Sequence, residues 1–303
     1  MPPSGRSGDD APSPVGFSRR LRKRHQLWWS RPRRLSEWRR APEVLHRLAE
    51  RARFRSRDEP EEAWHCCAYW QRTLINKWNG REFAARHGVP LPDLYWWGRS
   101  LWKLPVRSLP ARFVVRPVFG RKRRGAYVLV DGKELLREQS MDAAGLRRRL
   151  VRERGPWSLE PILVEAFARP EDGGDQLPTE CKFHVFGDVV AAIELVERTS
   201  IQPDGAKVRF FTSRWEPFED PMLTGHPLAP VRDAPRGLEE MLHHARRLGS
   251  ALGSYARVDF FATEGGCLFN EFSSTPRYRS LGYTPACDER FEALWREKFP
   301  DAS

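Results

Sequence analysis

Short apolar segments, many of them alternating with polar positions, are spread over residues 111–275 and predict β-strands. They cover residues 113–118, 126–130, 161–167, 180–186, 189–196 and 208–212, followed by a hairpin within residues 255–275. Residues 140–154 and 237–252 instead carry apolar side chains at helical spacing, which predicts two amphipathic helices. Strands, a crossing helix, more strands, a helix and a final hairpin together predict an α+β protein with mainly antiparallel sheets.

The region before these strands has a helical pattern. Residues 61–88 place tryptophan and leucine side chains at helical spacing, which predicts a helix that ends at Gly88. The aromatic-rich residues 91–104 lie among prolines, and we interpret them as a connecting or packing segment.

Positive charge is concentrated near the N-terminus. The 303 residues are 40% hydrophobic and can bury a sizeable core, and the net charge is +12. Residues 1–60 contain 16 Arg or Lys residues against 7 Asp or Glu residues. The composition of residues 1–18 predicts disorder, while residues 19–57 interleave basic residues with tryptophans. This stretch is suited to binding nucleic acid or another acidic polymer, although the lack of an RNA-binding signature favours a solvated basic arm.

The cysteine positions fit no metal-ligand spacing. The five cysteines are Cys66, Cys67, Cys181, Cys267 and Cys287. Their odd number predicts reduced thiols and a cytoplasmic protein. Adjacent histidines, His243 and His244, fall in the second amphipathic helix and are interpreted as surface residues rather than ligands. No run approaches the roughly 18 apolar residues of a transmembrane segment, so none is predicted.

The final hairpin carries the most informative polar residues. It turns at Glu264-Gly265-Gly266, and on its first strand Arg257 and Asp259 share a face by alternation. On its second strand the same alternation predicts that Phe269 and Glu271 share a face, with Ser273 two residues further on. Two carboxylates on adjacent strands can point at one spot, an arrangement suited to Mg²⁺. Spacing alone is equally compatible with an ordinary hairpin whose outer face is charged.

Six motifs follow one another along the chain, within residues 76–90, 109–117, 163–167, 180–188, 257–261 and 270–273. Taken together in this order, they resemble the ATP-grasp superfamily, most closely its TupA-like branch. The resemblance implies an ATP-grasp fold, in which two α+β subdomains clamp ATP between mainly antiparallel sheets, with a reduced N-terminal domain. It divides the chain into a basic N-terminal arm (1–60), a helical segment (61–110), a small lid subdomain (111–168) and a C-terminal subdomain with a metal-binding hairpin (169–303).

The resemblance also implies roles for individual residues. It implies that ATP is bound by Arg116, Gly120, Lys122, Gly125, Glu165, Ala166, Phe167, Ala168, Asp172 and Lys182. Within this set, Arg116 and Lys182 would bind phosphates, residues 120–125 would form the lid, residues 165–168 would follow adenine, and Asp172 would hold the ribose. It implies that Asp259, Glu271 and Ser273 bind Mg²⁺ and that Arg257 contacts the transferred phosphoryl group. Arg277 and Arg279 would bind the carboxylate of the substrate.

The implied activity is that of an ATP- and Mg²⁺-dependent carboxylate–amine ligase that works through an acyl phosphate. The partners would be a small or polymer-linked carboxylate and an amine, in surface polysaccharide or peptide natural-product biosynthesis. Two departures from the family pattern are Arg116 in place of a lysine and Ser273 in place of an asparagine. The alternatives are a kinase of the same fold and a non-catalytic, basic polymer-binding protein with a degenerate core.

Overall fold

The computed structural model describes residues 35, 53–65, 69–120, 125–155, 160–198, 205–219, 222, 226–274 and 282–300. Three groups of predictions lie outside these residues. They concern most of the basic arm, the centre of the predicted lid with Lys122, and the loop that carries Arg277 and Arg279.

The first sheet has six strands in the order β1-β6-β2-β3-β4-β5, and all of its neighbours are antiparallel. The strands are β1 (Leu94–Gly98), β2 (Arg112–Pro117), β3 (Tyr127–Val130), β4 (Lys133–Glu134), β5 (Gln139–Ser140) and β6 (Ile162–Ala166). The region predicted to be a connection contains β1, so that prediction is wrong. Prolines on either side of these residues weakened the strand signal, yet β1 pairs along β6 at the edge of the sheet.

The second sheet has five antiparallel strands in the order β11-β10-β7-β8-β9. The strands are β7 (Glu180–Phe186), β8 (Val189–Arg198), β9 (Ala206–Phe211), β10 (Tyr255–Thr263) and β11 (Gly266–Ser273). With the first sheet and the helices, they confirm the predicted α+β class and the mainly antiparallel pairing.

Helices cover both sheets. Those within the described residues are α1 (Glu61–Trp64), α2 (Lys77–Arg86), α3 (Ala143–Arg154), α4 (Leu238–Leu252) and α5 (Pro285–Lys298), with 3₁₀ turns at Trp70–Ile75 and Leu101–Lys103. α3 packs on the first sheet through Leu146 and Leu150. α2 and α4 share one buried core with the second sheet, while α5 shares another core with it through Phe291 and Trp295.

The single helix predicted over residues 61–88 is broken into α1, a 3₁₀ turn and α2. Asn76 begins α2 as its N-cap, since its side chain accepts hydrogen bonds from the backbone of Trp78 and Asn79. The end of the predicted basic arm packs against the same helix: Arg55 is 4% exposed, and its backbone N–H donates to Asn79 Oδ1 at 2.9 Å. α2 therefore connects the N-terminal residues to the two sheets.

Candidate functional site

A β-bulge sets the orientation of the predicted metal-binding carboxylates. Asp259 pairs with Glu271, but the next residue, Phe260, pairs with Phe269, so Asn270 is the extra residue on β11. Paired residues share a face and successive residues alternate, which puts Phe269 and Glu271 on opposite faces. The prediction that these two residues share a face is therefore wrong. Phe269 packs in the core beneath α4, and Glu271 lies with Asp259 on the other face.

Arg257 holds Asp259 in a bidentate ion pair. Its Nε donates to Oδ1 and its Nη2 donates to Oδ2, both at 2.7 Å, and the carboxylate is fully buried. Burial raises the pKa of Asp259 to about 6, against the opposing effects of Arg257 and Lys182. Burial acts to lower the pKa of Arg257, but Asp259 raises it well above the ordinary value. Arg257 therefore engages both oxygens of Asp259, and its Nη1 lies outside this ion pair.

Glu271 is held by a lysine of α2. Lys77 Nζ lies 2.9 Å from Glu271 Oε2 and donates to the carbonyl oxygen of Gly120 at 2.9 Å. Burial acts to raise the pKa of Glu271, but the ammonium of Lys77 overcomes it and lowers the pKa to about 2. Lys77 therefore links the carboxylate hairpin to the residue at which the predicted lid begins.

A buried ion-pair network joins the two sheets. Glu165 on β6 accepts from Arg116 Nε at 2.8 Å through Oε2 and from Arg81 Nη1 at 2.7 Å through Oε1. Arg116 Nη1 also donates to Asn270 Oδ1 at 2.6 Å and to its carbonyl oxygen at 3.3 Å. The bulge residue of the second sheet thus contacts a strand of the first. Arg116, predicted to bind phosphate, has these protein partners in the structure.

Lys182 lies beside the carboxylate pair. It is opposite Asp259 on β7, is 7% exposed, and its Nζ lies 3.2 Å from Glu180 Oε2. Ser273 is half-buried and pairs with Arg257 at the end of β11. The pairing of β7, β10 and β11 therefore brings together Lys182, Arg257, Asp259, Glu271 and Ser273, and their roles remain predictions.

The predicted adenine segment follows β6. The backbone N–H of Ala166 donates to the carbonyl oxygen of Asp93 at 2.8 Å, so this group is paired within the protein. Phe167 packs on a small apolar cluster of the first sheet, and Ala168 is 5% exposed. Asp172 is exposed, and its Oδ1 accepts from the backbone N–H of Gly174 in its own loop. No contact described for Asp172 links it to the carboxylate pair.

The donor set fits a hard divalent cation. Asp259 and Glu271 occupy directly opposed positions, where Cβ atoms are about 4.5–5.5 Å apart. Two carboxylates and the hydroxyl of Ser273 are oxygen ligands of the type that Mg²⁺ prefers. Lys77 contributes a positive charge to the same carboxylate, so a cation at this position would compete with or displace its ammonium group.

Sequence reasoning missed three residues of this site. Lys77, Arg81 and Asn270 were recognised only as parts of longer motifs. Lys77 and Arg81 are four residues apart on α2, a spacing that puts both on one side of a helix and could have indicated a shared target. The contact of Asn270 with Arg116 depends on the β-bulge, which the sequence did not predict.

No family model matches the sequence, and no curated protein does. The ATP-grasp ligase PsnB complexed with a minimal precursor is similar in structure, with 14% identity, a TM-score of 0.41, and coverage of 70% of this chain and 55% of that chain. D-alanine–D-alanine ligase from Bacillus anthracis complexed with ATP is also similar in structure, with 14% identity and a TM-score of 0.45. The match covers 76% of this chain and 65% of that chain. L-amino acid ligase from Bacillus licheniformis has 16% identity and a TM-score of 0.40, and the match covers 67% of this chain and 40% of that chain.

The chain thus spans less than two thirds of the length of each of these three proteins. None of the helices in the described part of the chain has the length and apolar character that a membrane crossing requires.

Proposed function

We propose that this chain is an ATP-grasp enzyme of the TupA-like type, a Mg²⁺-dependent ligase that joins a carboxylate to an amine through an acyl phosphate. The observation that carries the proposal is the opposed carboxylate pair, Asp259 and Glu271, on a face that also presents Arg257 and Lys182. Phosphoryl transfer depends mainly on positioning and on neutralising charge, and this set of residues suits both tasks.

The cations would bind the nucleotide phosphates on this face. Arg257 has Nη1 outside its ion pair with Asp259, so this group is suited to an oxygen of the transferred phosphoryl group. Lys182 would bind an adjacent phosphate. Arg116 would exchange Asn270 for a phosphate oxygen at Nη1 while keeping Glu165 at Nε. Bound Mg²⁺, held by Asp259, Glu271 and Ser273, would neutralise charge that develops on the phosphates.

The proposed reaction has two steps. First, a carboxylate oxygen of the acid attacks the γ-phosphorus of ATP, the bond to the bridging oxygen breaks, and ADP leaves. Second, the amine nitrogen attacks the acyl carbon, the carbon–oxygen bond to phosphate breaks, and inorganic phosphate leaves as the amine loses a proton to solvent. Residues 120–125 would close over the acyl phosphate and exclude water, which protects it from hydrolysis.

Arginine side chains after β11 would bind the acid. Arg277 and Arg279 follow the hairpin in sequence, and the planar guanidinium group is suited to a carboxylate. The acid would be small or attached to a polymer, and the amine would be an amino acid, in the cytoplasmic synthesis of a surface polysaccharide or peptide natural product. The domain division proposed from the sequence, with residues 111–168 as the lid subdomain and residues 169–303 as the metal-binding subdomain, belongs to the same proposal.

Calorimetric titration of Mg²⁺–ATP tests the nucleotide site. We expect the wild-type chain to bind, and the double variant Asp259→Asn/Glu271→Gln to bind at least about 10-fold more weakly, because it lacks both negative metal ligands. Glu264→Gln is a matched control, since Glu264 is a 56% exposed carboxylate at the turn of the same hairpin. A wild-type chain that binds no Mg²⁺–ATP at millimolar concentration would contradict the proposal.

Trapping with hydroxylamine tests the reaction class. During turnover with an acid substrate, a ligase forms ADP and an acyl hydroxamate, because hydroxylamine intercepts the acyl phosphate. A kinase that acts on a hydroxyl group forms ADP without the hydroxamate. Nucleic-acid binding that weakens steeply with salt and is unaffected by Asp259→Asn would favour the polymer-binding alternative.

A further inference from the structure

Three side chains of metal-ligand type meet between α4 and the start of β11. Glu240 and His244 are four residues apart on α4 and therefore lie one helical turn apart on the same side. Cys267 is the second residue of β11. One ligand atom from each residue lies within 4.8 Å of the other two.

The cluster is buried on one side and open on the other. Cys267 is 2% exposed and His244 is 8% exposed, whereas the side chain of Glu240 is 43% exposed. The prediction that His244 is a surface residue is therefore wrong, because α4 turns this side chain toward the hairpin. Access from solvent is by way of Glu240.

One ring nitrogen of His244 has no hydrogen-bond partner within the described residues, while the other faces Glu240. Its Nδ1 is buried and has no hydrogen-bond partner within the described residues, and its Nε2 lies 3.7 Å from Glu240 Oε1, beyond hydrogen-bond distance. A buried polar atom without a partner costs free energy. A cation bound at Nδ1 would supply this nitrogen with a partner that the described residues do not provide.

We propose that Glu240, His244 and Cys267 form a zinc site, with a water molecule as the fourth ligand. Thiolate and imidazole ligands favour Zn²⁺, whereas Mg²⁺ and Ca²⁺ prefer oxygen ligands. Tetrahedral coordination requires ligand atoms about 3.3–3.8 Å apart. These ligand atoms all lie within 4.8 Å of one another, so no pair needs to close by more than about 1.5 Å. The exposed Glu240, whose Oε2 accepts from the backbone N–H of Cys267 at 3.2 Å, can adjust through rotation of its side chain.

Zinc binding involves loss of a proton from the cysteine. Burial and the neighbouring carboxylate of Glu240 raise the pKa of the Cys267 thiol to about 12, so the free site holds the thiol in its protonated form. When Zn²⁺ binds, the sulfur–zinc bond forms and the thiol proton passes to solvent.

The zinc would join α4 to β11 on the face opposite Asp259 and Glu271. Cys267 packs in the core beneath α4, whereas Glu271 lies on the other face beyond the bulge at Asn270. The site is therefore separate from the proposed nucleotide site, and its role would be to hold the hairpin against the helix. Either proposal can fail without the other.

Titration with Co²⁺ tests the site in the full chain after chelator treatment and without nucleotide. We expect one Co²⁺ per chain, a thiolate-to-cobalt charge-transfer band in the near ultraviolet, and displacement of the cobalt by one equivalent of Zn²⁺. Cys267→Ser should abolish the band, and His244→Gln should weaken Zn²⁺ binding by more than about 100-fold, since a ligand is lost rather than an outer partner. Zn²⁺ should also raise the Tm of the wild type.

Matched controls separate this site from other thiols and histidines. Cys287→Ser removes another buried thiol, on α5, and His243→Gln removes the neighbouring histidine; both should retain the band. Asp259→Asn should retain it as well, because the proposed Mg²⁺ site has no thiol. A wild-type chain without the band, or a band that persists in Cys267→Ser, would overturn the proposal.

Discussion

Replacement of Glu165 by glutamine tests the ion-pair network that joins the sheets. The side chain of Glu165 is 3% exposed, and those of its partners Arg81 and Arg116 are 9% and 13% exposed. The carboxylate accepts from Arg116 at 2.8 Å through Oε2 and from Arg81 at 2.7 Å through Oε1. A carboxamide of the same shape has only one oxygen, so it can satisfy only one of the two arginines.

The expected loss of stability follows from these contacts. The amide oxygen would face Arg116, and the amide NH₂ would then face the donors of Arg81. One hydrogen bond to a charged group is worth about 1.5–3 kcal/mol, and loss of one partner from a buried ion pair costs about 3–5 kcal/mol. Because Arg116 keeps its contact, we expect Glu165→Gln to lower the free energy of unfolding by about 3 kcal/mol.

Urea denaturation followed by circular dichroism measures this loss. Glu264→Gln is the control, since Glu264 is 56% exposed and its partner Arg169 is 50% exposed, and an exposed pair contributes less than about 1 kcal/mol. A double-mutant cycle with Arg81→Met should give a coupling energy above about 1 kcal/mol. If Glu165→Gln were no more destabilising than the control, water would be solvating the network and the reasoning from burial would be refuted.

Two further substitutions test packing and charge. Gly249→Ala would put a Cβ into the carbonyl oxygen of Gly187, so we expect thermal denaturation to show a loss of at least about 2 kcal/mol, whereas Gly265→Ala, with nothing within 4 Å, should be nearly neutral. Burial acts to raise the pKa of Glu82, but hydrogen bonds from Arg57 lower it overall. The carboxylate therefore stabilises the fold above its unfolded-state pKa, and this contribution disappears as pH falls through the lower folded-state pKa. Glu82→Gln should cost about 1 kcal/mol at pH 7, a figure reduced by solvent screening because Arg57 is 44% exposed, and the cost should shrink in acid; a pH-independent difference in urea titrations would contradict this assignment.

The strands that sequence alone predicted well have strong local signals. Residues 180–186 form β7 at the predicted bounds, because apolar residues that alternate with polar ones are followed by a turn at Gly187-Asp188. The helix α5 was not predicted. Its mixed charges obscure a narrow apolar stripe, of which Phe291 and Trp295 are buried members. Long-range packing, rather than local pattern, stabilises this helix on the second sheet.

The sequence predicted which residues form the site better than it predicted the strand faces on which they lie. Asp259 and Glu271 were expected to meet, and they do, but simple alternation assigned Glu271 to the face of Phe269. Phe269 and Phe272 are three residues apart, and both pack toward the helices, with Phe272 6.0 Å from the ring of Phe83 on α2. Residues on one face of a regular strand are an even number of positions apart, so a spacing of three requires an inserted residue. The need for this insertion follows from the packing of Phe272 against α2, which the sequence does not show.

The bulge at Asn270 affects the contact between the hairpin and the first sheet without affecting the pairing of the two carboxylates. Asp259 pairs with Glu271 and Phe260 pairs with Phe269, so deletion of Asn270 would leave both pairs in regular register. The same deletion would remove the side chain that accepts from Arg116 across the gap between the sheets. A single-residue insertion is thus enough to add a tie between the two halves of the molecule while its carboxylate pair is preserved. Insertions and deletions at this position would let an evolving chain adjust how tightly its halves are coupled, independently of its metal chemistry.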